Sequence, residues 1–404
     1  MDLTSPHAYW LISNGVGEVS DPLPGDMRAD VVVIGAGITG ALICDSLTSA
    51  GLSVIALDKR HPAHGSTSAS TAMLMYELDA PLIDLIERLG SRRATDAYRA
   101  ALHGVRTIAR LAGELKDDVG FCRRSTLYLA SRKRDIAKLR KECSARLEAG
   151  LPCEVLEPPA IRRVLDFEAP LALWSDSGAE VDPWRLTCAL LSRCLERDFK
   201  VFGRTEVTGI SASGRTLEVR TARGTVRARH VVVAAGYEAG TFLPRRVASL
   251  HSTYAAVTEP VKDFTGWKKR CLVWESARPY PYMRTTEDDR IMIGGEDDDF
   301  RNPAHRDALV PIKAKRLLAK ARWRLPHIEM ELAYAWAGTF AETKDSLPFI
   351  GAHPDVDPRV LFALAYGANG MPFGAVAAVS VWILMRDRYA FVRAENARAF
   401  PGLH

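Results

Sequence analysis

The hydrophobic positions near the start of the chain follow the pattern of a β–α–β unit. Ala29 to Ile34 is an almost unbroken apolar run, which is typical of a strand covered on both faces in a parallel sheet. Ile38 to Ala50 is predicted to be a helix that ends at Gly51. Leu52 to Asp58 is predicted to be a second parallel strand, beside the first because of the handedness of such crossovers. The pattern predicts an α/β fold with a Rossmann-like domain.

Alternation of apolar and polar residues predicts antiparallel strands later in the chain. Between Lys200 and Gly236 three such strands are separated by glycine turns. This region ends in an apolar run, Val231 to Ala235, which is expected to rejoin the N-terminal sheet. The region from Leu250 to Tyr334 is again strand-like, and it is predicted to form a second antiparallel sheet that belongs to a substrate domain.

Helical spacing is clear in the region between the β–α–β unit and these strands. A buried stripe recurs at positions Leu82, Leu85, Ile86 and Leu89, with Asp79 as the predicted N-cap. A long helix is predicted over Arg92 to Leu115.

One uncharged stretch near the C-terminus, Leu361 to Met385, is long enough to cross a bilayer. Glycine and proline cluster in its middle, which predicts a short strand, a tight loop and a buried helix instead. No membrane span is therefore expected.

Composition and charge exclude several other classes of protein. The chain has 404 residues, of which 47% are hydrophobic and 25% charged, as expected for a two-domain globular protein. The net charge of +5 is small and dispersed, which argues against a nucleic-acid partner. The seven cysteines are scattered without a CxxC pair, so no metal site or disulfide framework is expected. Reduced thiols, and a first segment unlike a signal peptide, favour a cytoplasmic location.

A glycine motif lies between the first strand and the first helix. Gly35, Gly37 and Gly40 match G-x-G-x-x-G, in which the glycines permit a tight turn, the approach of a pyrophosphate and close packing of helix on strand. Asp58, at the end of the second strand, can accept a hydrogen bond from a ribose hydroxyl. The motif predicts a bound dinucleotide without distinguishing FAD from NAD.

Longer motifs resemble the FAD-dependent superfamily of D-amino-acid oxidase, glycine oxidase and sarcosine oxidase, the DAO family. The resemblance covers nearly the whole chain and rests on DVVVIGAGITG (30–40), GSTSAST (65–71), VVVAAG (231–236), YMRTTEDDRIMIGGED (282–297), WAGTFAETKDSLPFIG (336–351) and YGANGMPFG (366–374). It implies FAD as cofactor. It also implies oxidation of a C–N bond in an amine or amino-acid-like substrate, by hydride transfer to flavin N5, after which the imine hydrolyses. O₂ or another electron acceptor would take the electrons from the flavin.

The resemblance also implies a set of cofactor-binding residues. Ser66 and Thr67 would lie against the pyrophosphate or the flavin ring, and Val207 would meet the adenine. The full predicted set is Gly35, Gly37, Ile38, Gly40, Asp58, Lys59, Ser66, Thr67, Val207, Ala235, Gly236, Gly370 and Met371. Lys59 and its neighbour Arg60 could instead serve an extra phosphate. Covalent attachment of the flavin has His64 as its one candidate, which is otherwise a surface histidine.

The predicted domains are interleaved in the sequence. Residues 1–80, 151–249 and 336–404 are assigned to the FAD-binding domain, and residues 81–150 and 250–335 to the substrate domain.

The predicted catalytic residues are Arg284, Tyr282 and Asn369. Tyr280, Tyr282 and Arg284 alternate along one strand and share a face, which could line a substrate pocket or be the exposed face of an edge strand. In the amino-acid oxidases of the family an arginine in the 336–351 motif holds the substrate carboxylate, and Phe340 stands in that place. Either Arg284 replaces that arginine or the substrate lacks an α-carboxylate.

Other interpretations remain open at this stage. The acidic run Glu296 to Asp299 could attract a cationic amine or form a solvated turn. The protein could also be a dehydrogenase that passes electrons to a carrier or partner subunit, or a dinucleotide-binding module without catalysis.

Overall fold

Two large sheets organise the chain, and the computed structural model describes residues 2–15, 17, 20–364, 367 and 369–386. The first sheet contains β1 (Met27–Ile34), β2 (Val54–Leu57), β7 (Phe199–Phe202), β8 (Val207–Ser213), β9 (Thr216–Thr221), β10 (Gly224–Val233), β16 (Phe349–Ala352) and β17 (Val360–Leu364). The second contains β3 (Met73–Leu74), β4 (Cys122–Leu129), β5 (Glu154–Leu156), β6 (Ala172–Glu180), β11 (Ala248–Thr258), β12 (Leu272–Glu275), β13 (Tyr282–Thr285), β14 (Ile291–Asp299) and β15 (Leu332–Thr343).

Helices cover both sheets and connect their strands. They are α1 (Tyr9–Asn14), α2 (Ile38–Ser49), α3 (Ser66–Ala69), α4 (Leu82–Leu89), α5 (Ser91–Glu114), α6 (Ile136–Glu148), α7 (Pro158–Val164), α8 (Pro183–Leu195), α9 (Pro303–Arg324) and α10 (Gly370–Arg386). The predicted helices at α2, α4 and α5 are confirmed within a residue or two. Gly51, just after α2, has a φ of +81°, the left-handed conformation that glycine adopts at low cost.

The first sheet is the predicted Rossmann-like sheet. Its parallel core has the order β17–β10–β1–β2–β7, and α2, α8 and α10 pack against its buried strands. The apolar run at Val231 does rejoin this sheet, as predicted. This run and the third predicted antiparallel strand form one continuous strand, β10. β10 pairs in parallel with β1 over its length and antiparallel with β9 over its first half.

The second sheet is almost wholly antiparallel and follows the order β15–β11–β14–β13–β12–β4–β6–β3. The pair of β4 with β12 is its parallel exception. One face packs against α9 through buried residues such as Ala314, Leu317 and Ala321. The predicted α/β fold with a second antiparallel sheet is therefore confirmed.

Strand pairing shows which sheet each segment joins. β3, β5 and β6 pair within the second sheet, although residues 73–74, 154–156 and 172–180 lie in segments that the sequence assigned to the FAD-binding domain. The hydrophobic pattern identified no pairing partner for these strands. The division into domains stays a prediction, and residues 387–404 lie outside the described part of the chain.

The predicted N-cap of α4 is wrong. Pro81 occupies the N-cap position and Asp79 lies two residues earlier, where its side chain accepts a hydrogen bond from the Tyr280 hydroxyl. The first amides of α4, those of Leu82 and Ile83, donate to the buried carboxylate of Glu142 at 3.0 and 3.1 Å. A residue from another helix thus satisfies orphan amides that a local cap was expected to satisfy.

The uncharged C-terminal stretch forms most of β17 and the helix α10, as predicted. The predicted loop between them includes residues 365, 366 and 368, which lie outside the described part of the chain. Among the described helices none has the length and apolar character needed to cross a bilayer.

Candidate functional site

A cavity of about 1220 Å³ lies between the two sheets. It runs from Gly35 and Asp58, at the carboxyl ends of the parallel strands, to Tyr128 and Trp274 on the second sheet and to Tyr280 just before β13. All of the predicted cofactor-binding residues except Gly40 line this cavity. Two of the three predicted catalytic residues, Tyr282 and Asn369, also line it. The structure therefore brings together most of a site whose members are dispersed in the sequence.

The glycine motif forms a close-packed cradle at one end of this cavity. Gly35 has a φ of +105°, and a Cβ atom there would lie 2.4 Å from the Ala234 carbonyl oxygen. A Cβ atom on Gly40 would lie 1.9 Å from the carbonyl oxygen of Gly35, so Gly40 supports the cradle from behind the cavity wall. The backbone at Gly35 and Gly37 is left exposed to a ligand, which fits a pyrophosphate.

Two helix N-termini face the cavity. The first is that of α2, where the Ile38 amide donates to the Thr67 hydroxyl at 2.9 Å, and the second is that of α10, where Gly370 and Met371 line the wall. First-turn amides have no acceptor within their own helix and carry partial positive charge. The two termini suit the pyrophosphate and the electron-rich edge of a reduced flavin.

Asp58 lies at the same end of the cavity as the glycine cradle. Its carboxylate accepts hydrogen bonds from the amides of Ala36 and Arg60, both at 2.8 Å. Burial raises the pKa of this carboxyl, and the two amides oppose the rise. Each carboxylate oxygen can accept more than one hydrogen bond, so acceptor capacity remains for a ribose hydroxyl.

Lys59 and Arg60 are paired with an acidic neighbour. Glu238 contacts Lys59 at 2.5 Å and Arg60 at 2.7 Å. Burial alone would raise the pKa of Glu238, but the hydrogen bonds from Arg60 and Lys59 outweigh it and lower that pKa. Both cations are thus matched by a carboxylate at the cavity wall, which gives no support to the hypothesis of an extra phosphate.

The N-terminal segment, residues 3–15, covers part of the cavity, and sequence reasoning missed this role. Leu3 and Thr4 line the wall and pair with β15 around Gly338. The indole N–H of Trp10 donates to the Ser70 carbonyl at 2.7 Å, and that of Trp336 donates to the Ala69 carbonyl at 2.9 Å. These two bonds hold the end of α3 against the cavity.

The far end of the cavity is aromatic. Four side chains form an aromatic wall, with ring centroids 3.8 Å apart for Tyr128 and Trp274, 5.9 Å for Trp274 and Tyr280, and 6.1 Å for Tyr280 and Tyr282. A Cβ atom at Gly294 would lie 2.2 Å from Cζ of Tyr282, so the glycine lets this ring lie across the neighbouring strand. Tyr280 and Tyr282 line the cavity, and their contact with a substrate stays a prediction.

Arg284 does not belong to this wall, which corrects the prediction. Its side chain is 2% exposed and it does not line the cavity. Its guanidinium donates to four backbone carbonyls at 2.8–3.0 Å, those of Thr285, Thr71, Ala72 and Val181. Although Arg284 shares a strand face with Tyr282, it lies farther along β13, where the chain near Thr71 encloses it. It is a buried structural cation.

We expect Arg284→Met to destabilise the protein by about 2–4 kcal/mol, because three or more buried carbonyls lose their donor. The affinity for any amine that reduces the flavin should remain within about twofold. Thermal melts and amine titrations of the two proteins check this pair of outcomes. A variant with parental melting behaviour and weakened amine binding would restore Arg284 as a substrate anchor.

Asn369 lines the cavity and also holds its wall together. Its amide nitrogen donates to the carbonyls of Met75 and Glu77 at 2.8 and 2.9 Å. Both amide hydrogens are therefore used to fix the Met75–Glu77 segment beside the start of α10. This geometry favours a positioning role over the predicted catalytic one.

Phe340 lines the cavity where the resemblance implies an arginine, and its neighbour His251 lies at a ring distance of 5.3 Å. The acidic residue Asp297 also lines the cavity and was missed as an individual candidate. The signal that could have found it is the Gly294–Gly295 pair before the acidic run, because glycines inside a strand often mark a bulge that re-aims a side chain.

Comparison with known proteins agrees with this geometry. A family model described as "DAO: FAD dependent oxidoreductase" matches residues 30–381. Glycine oxidase of Bacillus licheniformis is 26% identical over 85% of this chain and 89% of its own length. Gamma-glutamylputrescine oxidoreductase of Escherichia coli is 25% identical over 98% of this chain and 92% of its own. The crystal structure of glycine oxidase from Geobacillus kaustophilus superposes with a TM-score of 0.74 at 21% identity, covering 89% and 95% of the two chains.

Proposed function

The chain belongs to the DAO family of FAD-dependent oxidoreductases, and from this membership we propose that it oxidises the C–N bond of an amine or amino-acid-like substrate. The observation that carries the proposal is the single cavity that joins the glycine cradle to the aromatic wall. A cofactor held by the cradle would extend toward a pocket large enough for a small organic substrate. The relatives named glycine oxidase and gamma-glutamylputrescine oxidoreductase support the same class of reaction.

The residues present fit FAD. The backbone at Gly35 and Gly37 would hold the pyrophosphate, Asp58 a ribose, and the start of α10 at Gly370 the electron-rich edge of the flavin. When bound, FAD supplies the acceptor for a hydride that leaves the carbon next to the substrate nitrogen.

The chain itself positions the reactants and excludes water. Tyr280 and Tyr282 offer flat apolar faces to a substrate. The Trp10 and Trp336 bonds fix the Ala69–Ser70 segment, so that the wall between the two ends of the cavity is rigid. Positioning of this kind accounts for a large share of the rate enhancement when little side-chain chemistry is required.

The test is anaerobic reduction of the purified yellow protein by a panel of amines and amino acids. We expect at least one of them to bleach the flavin absorbance. Release of peroxide in air would identify O₂ as the acceptor, whereas turnover with an artificial dye and without peroxide would indicate a carrier or partner subunit. A flavin that no member of the panel bleaches would contradict the proposed reaction and favour a module without catalysis.

A further inference from the structure

The Asp297 carboxylate, which is partly buried in the cavity wall, lacks the cation that accompanies each buried carboxylate in the described residues. Each of the latter lies 3.8 Å or less from a lysine or arginine nitrogen: Asp45, Glu77, Glu142, Glu180, Asp182, Glu275 and Glu296. Such pairing is the usual condition for burying a charge. Asp297 lines the cavity, and no ion pair joins it to any basic side chain that the structure describes.

A bulge in β14 directs Asp297 toward the cavity. Ser252 pairs with Asp298 and Tyr254 pairs with Gly295, so two residues of β14, Glu296 and Asp297, lie opposite the single residue Thr253. Glu296 has a φ of +59° and its side chain turns to Lys313 on α9. Bulges of this type are frequent beside active sites, where they re-aim a side chain.

The Asp297 carboxylate is short of hydrogen-bond donors. Its Oδ1 atom is buried without a partner, and so is Oε2 of Glu77, which lines the same cavity and is 2% exposed. Glu77 is accompanied by Arg146 at 3.8 Å, whereas no lysine or arginine of the described residues forms an ion pair with Asp297. Burial is the largest cause that raises the pKa of Asp297, to about 6, and the nearby Asp79 adds to it, against a hydrogen bond from Thr253.

The charged groups around Asp297 come from several elements. Asp79 repels its charge, while Arg278 and His251 attract it. Arg278 is engaged elsewhere, because its guanidinium donates to the Asp79 carbonyl at 2.5 Å and lies 4.5 Å from the Tyr280 ring centre. His251 lies 3.4 Å from Asp299.

The aromatic wall lies within electrostatic range of this carboxylate. Burial first, and then Asp297, raise the pKa of the Tyr282 hydroxyl, and Asp297 acts in the same direction on Tyr280. The faces of tyrosine and tryptophan rings attract cations, most strongly when water is excluded. A carboxylate beside several such faces is complementary to an ammonium ion.

We propose that Asp297 binds the ammonium group of the substrate, and that the substrate is a cationic amine without an α-carboxylate. The proposal rests on the proposed function and adds a substrate class to it. An α-carboxylate in the same place would meet Asp297, the negative faces of the rings and Phe340, with Arg284 enclosed behind the wall.

The same contact prepares the amine for oxidation by a proton transfer. Asp297 takes one proton from the ammonium nitrogen and becomes a carboxylic acid, and the nitrogen retains the electron pair of the broken N–H bond. The neutral amine that results has the lone pair needed to form a C=N bond when the adjacent C–H bond breaks. A carboxylate with an elevated pKa is suited to this role near neutral pH.

Matched pairs of compounds test the substrate class. Benzylamine is compared with D- and L-phenylglycine, and butylamine with D- and L-norvaline, because each amino acid is the amine plus one α-carboxylate. We expect the amines to bleach the anaerobic flavin at least about 100-fold more efficiently than the amino acids. Amino acids that bleach it as well as the amines would overturn the proposal while leaving the proposed function intact. Failure of all six compounds would count against both.

Substitution of Asp297 tests the residue itself. In the parent protein the efficiency of bleaching by benzylamine should rise with pH through a midpoint near 6, as Asp297 ionises. Asp297→Asn should lower that efficiency about 100-fold and remove this limb. Asp298→Asn makes the same chemical change at the next residue, which pairs with Lys313 and does not line the cavity. This variant should keep both the parental efficiency of bleaching and its rise with pH. His251→Asn should keep the rise of efficiency with pH, and loss of that rise in this variant would contradict its assignment to Asp297.

The fold of the Asp297 variant is checked independently of catalysis. Because the folded-state pKa is raised from 3.8 to about 6, the charged form is disfavoured in the native state and stability falls as pH rises through that range. Asp297→Asn should therefore bind FAD in parental amount and melt at a higher temperature than the parent above pH 6. A folded, flavin-loaded variant with parental bleaching at every pH would overturn the proposal.

Discussion

Gly40→Ala is expected to yield protein that contains no bound flavin. The added Cβ atom would lie 1.9 Å from the Gly35 carbonyl oxygen, and backbone atoms cannot move aside as a flexible side chain can. The turn that holds the pyrophosphate must then shift, because Gly35 is itself packed against the Ala234 carbonyl. We expect the loss of stability to be about 3 kcal/mol or more, the upper range for an overpacked site.

Gly113→Ala is the matched control for this substitution. Gly113 lies in α5, and a Cβ atom there meets nothing within 4 Å. Alanine should stabilise the helix by about 0.5–1 kcal/mol and leave the flavin content unchanged. The ratio of flavin to protein absorbance and a thermal melt measure both outcomes. A Gly40→Ala protein that keeps a full complement of flavin would show that the cradle is not the nucleotide site.

Arg146→Met should be the most destabilising side-chain substitution outside the cofactor cradle. Arg146 is 1% exposed, and it contacts Glu142 at 2.7 Å and Glu77 at 3.8 Å. Without it two buried carboxylates lose their cation, and burial already raises the pKa of Glu77. Glu142 also caps the first amides of α4. Breaking a buried pair of this kind typically costs about 3–5 kcal/mol.

Arg110→Met is the matched control because Arg110 also pairs with a glutamate four residues away, Glu114, at 2.5 Å. That pair is about half exposed, and such pairs contribute about 0.5 kcal/mol or less. Urea unfolding monitored by flavin and tryptophan fluorescence compares the two variants. Equal midpoints for the two would contradict the central role of Arg146.

Local patterns in the sequence predicted the nucleotide end of the molecule well. The strand before Gly35, the helix after it and Asp58 lie within one β–α–β unit, where spacing along the chain and spacing in the fold are nearly equivalent. The position of α10 was also predictable, because the glycines around Gly370 interrupt an otherwise continuous apolar stretch.

Contacts between distant segments could not be predicted in the same way. Period-two alternation placed Arg284 on the face of Tyr282, but it contained no information on the carbonyls of Thr71 and Val181 that enclose the guanidinium. The sequence predicted Asp79 as the cap of α4, whereas in the structure Glu142, from a different helix, accepts the hydrogen bond of the first amide of α4. Asp297 depends on a bulge whose register is set by the opposite strand. Each of these features is decided by a partner far away in the chain.

The pairing of residues 3–5 with β15 sets an order on assembly during translation. Leu3 and Ser5 bond to Thr339 and Ala337, so this segment cannot dock until β15 (Leu332–Thr343), far later in the chain, has been synthesised. The β–α–β unit can form well before then, since domains fold as their segments emerge. The side of the cavity beside Leu3 and Thr4 thus stays uncovered until β15 has been synthesised and can pair with the N-terminal segment.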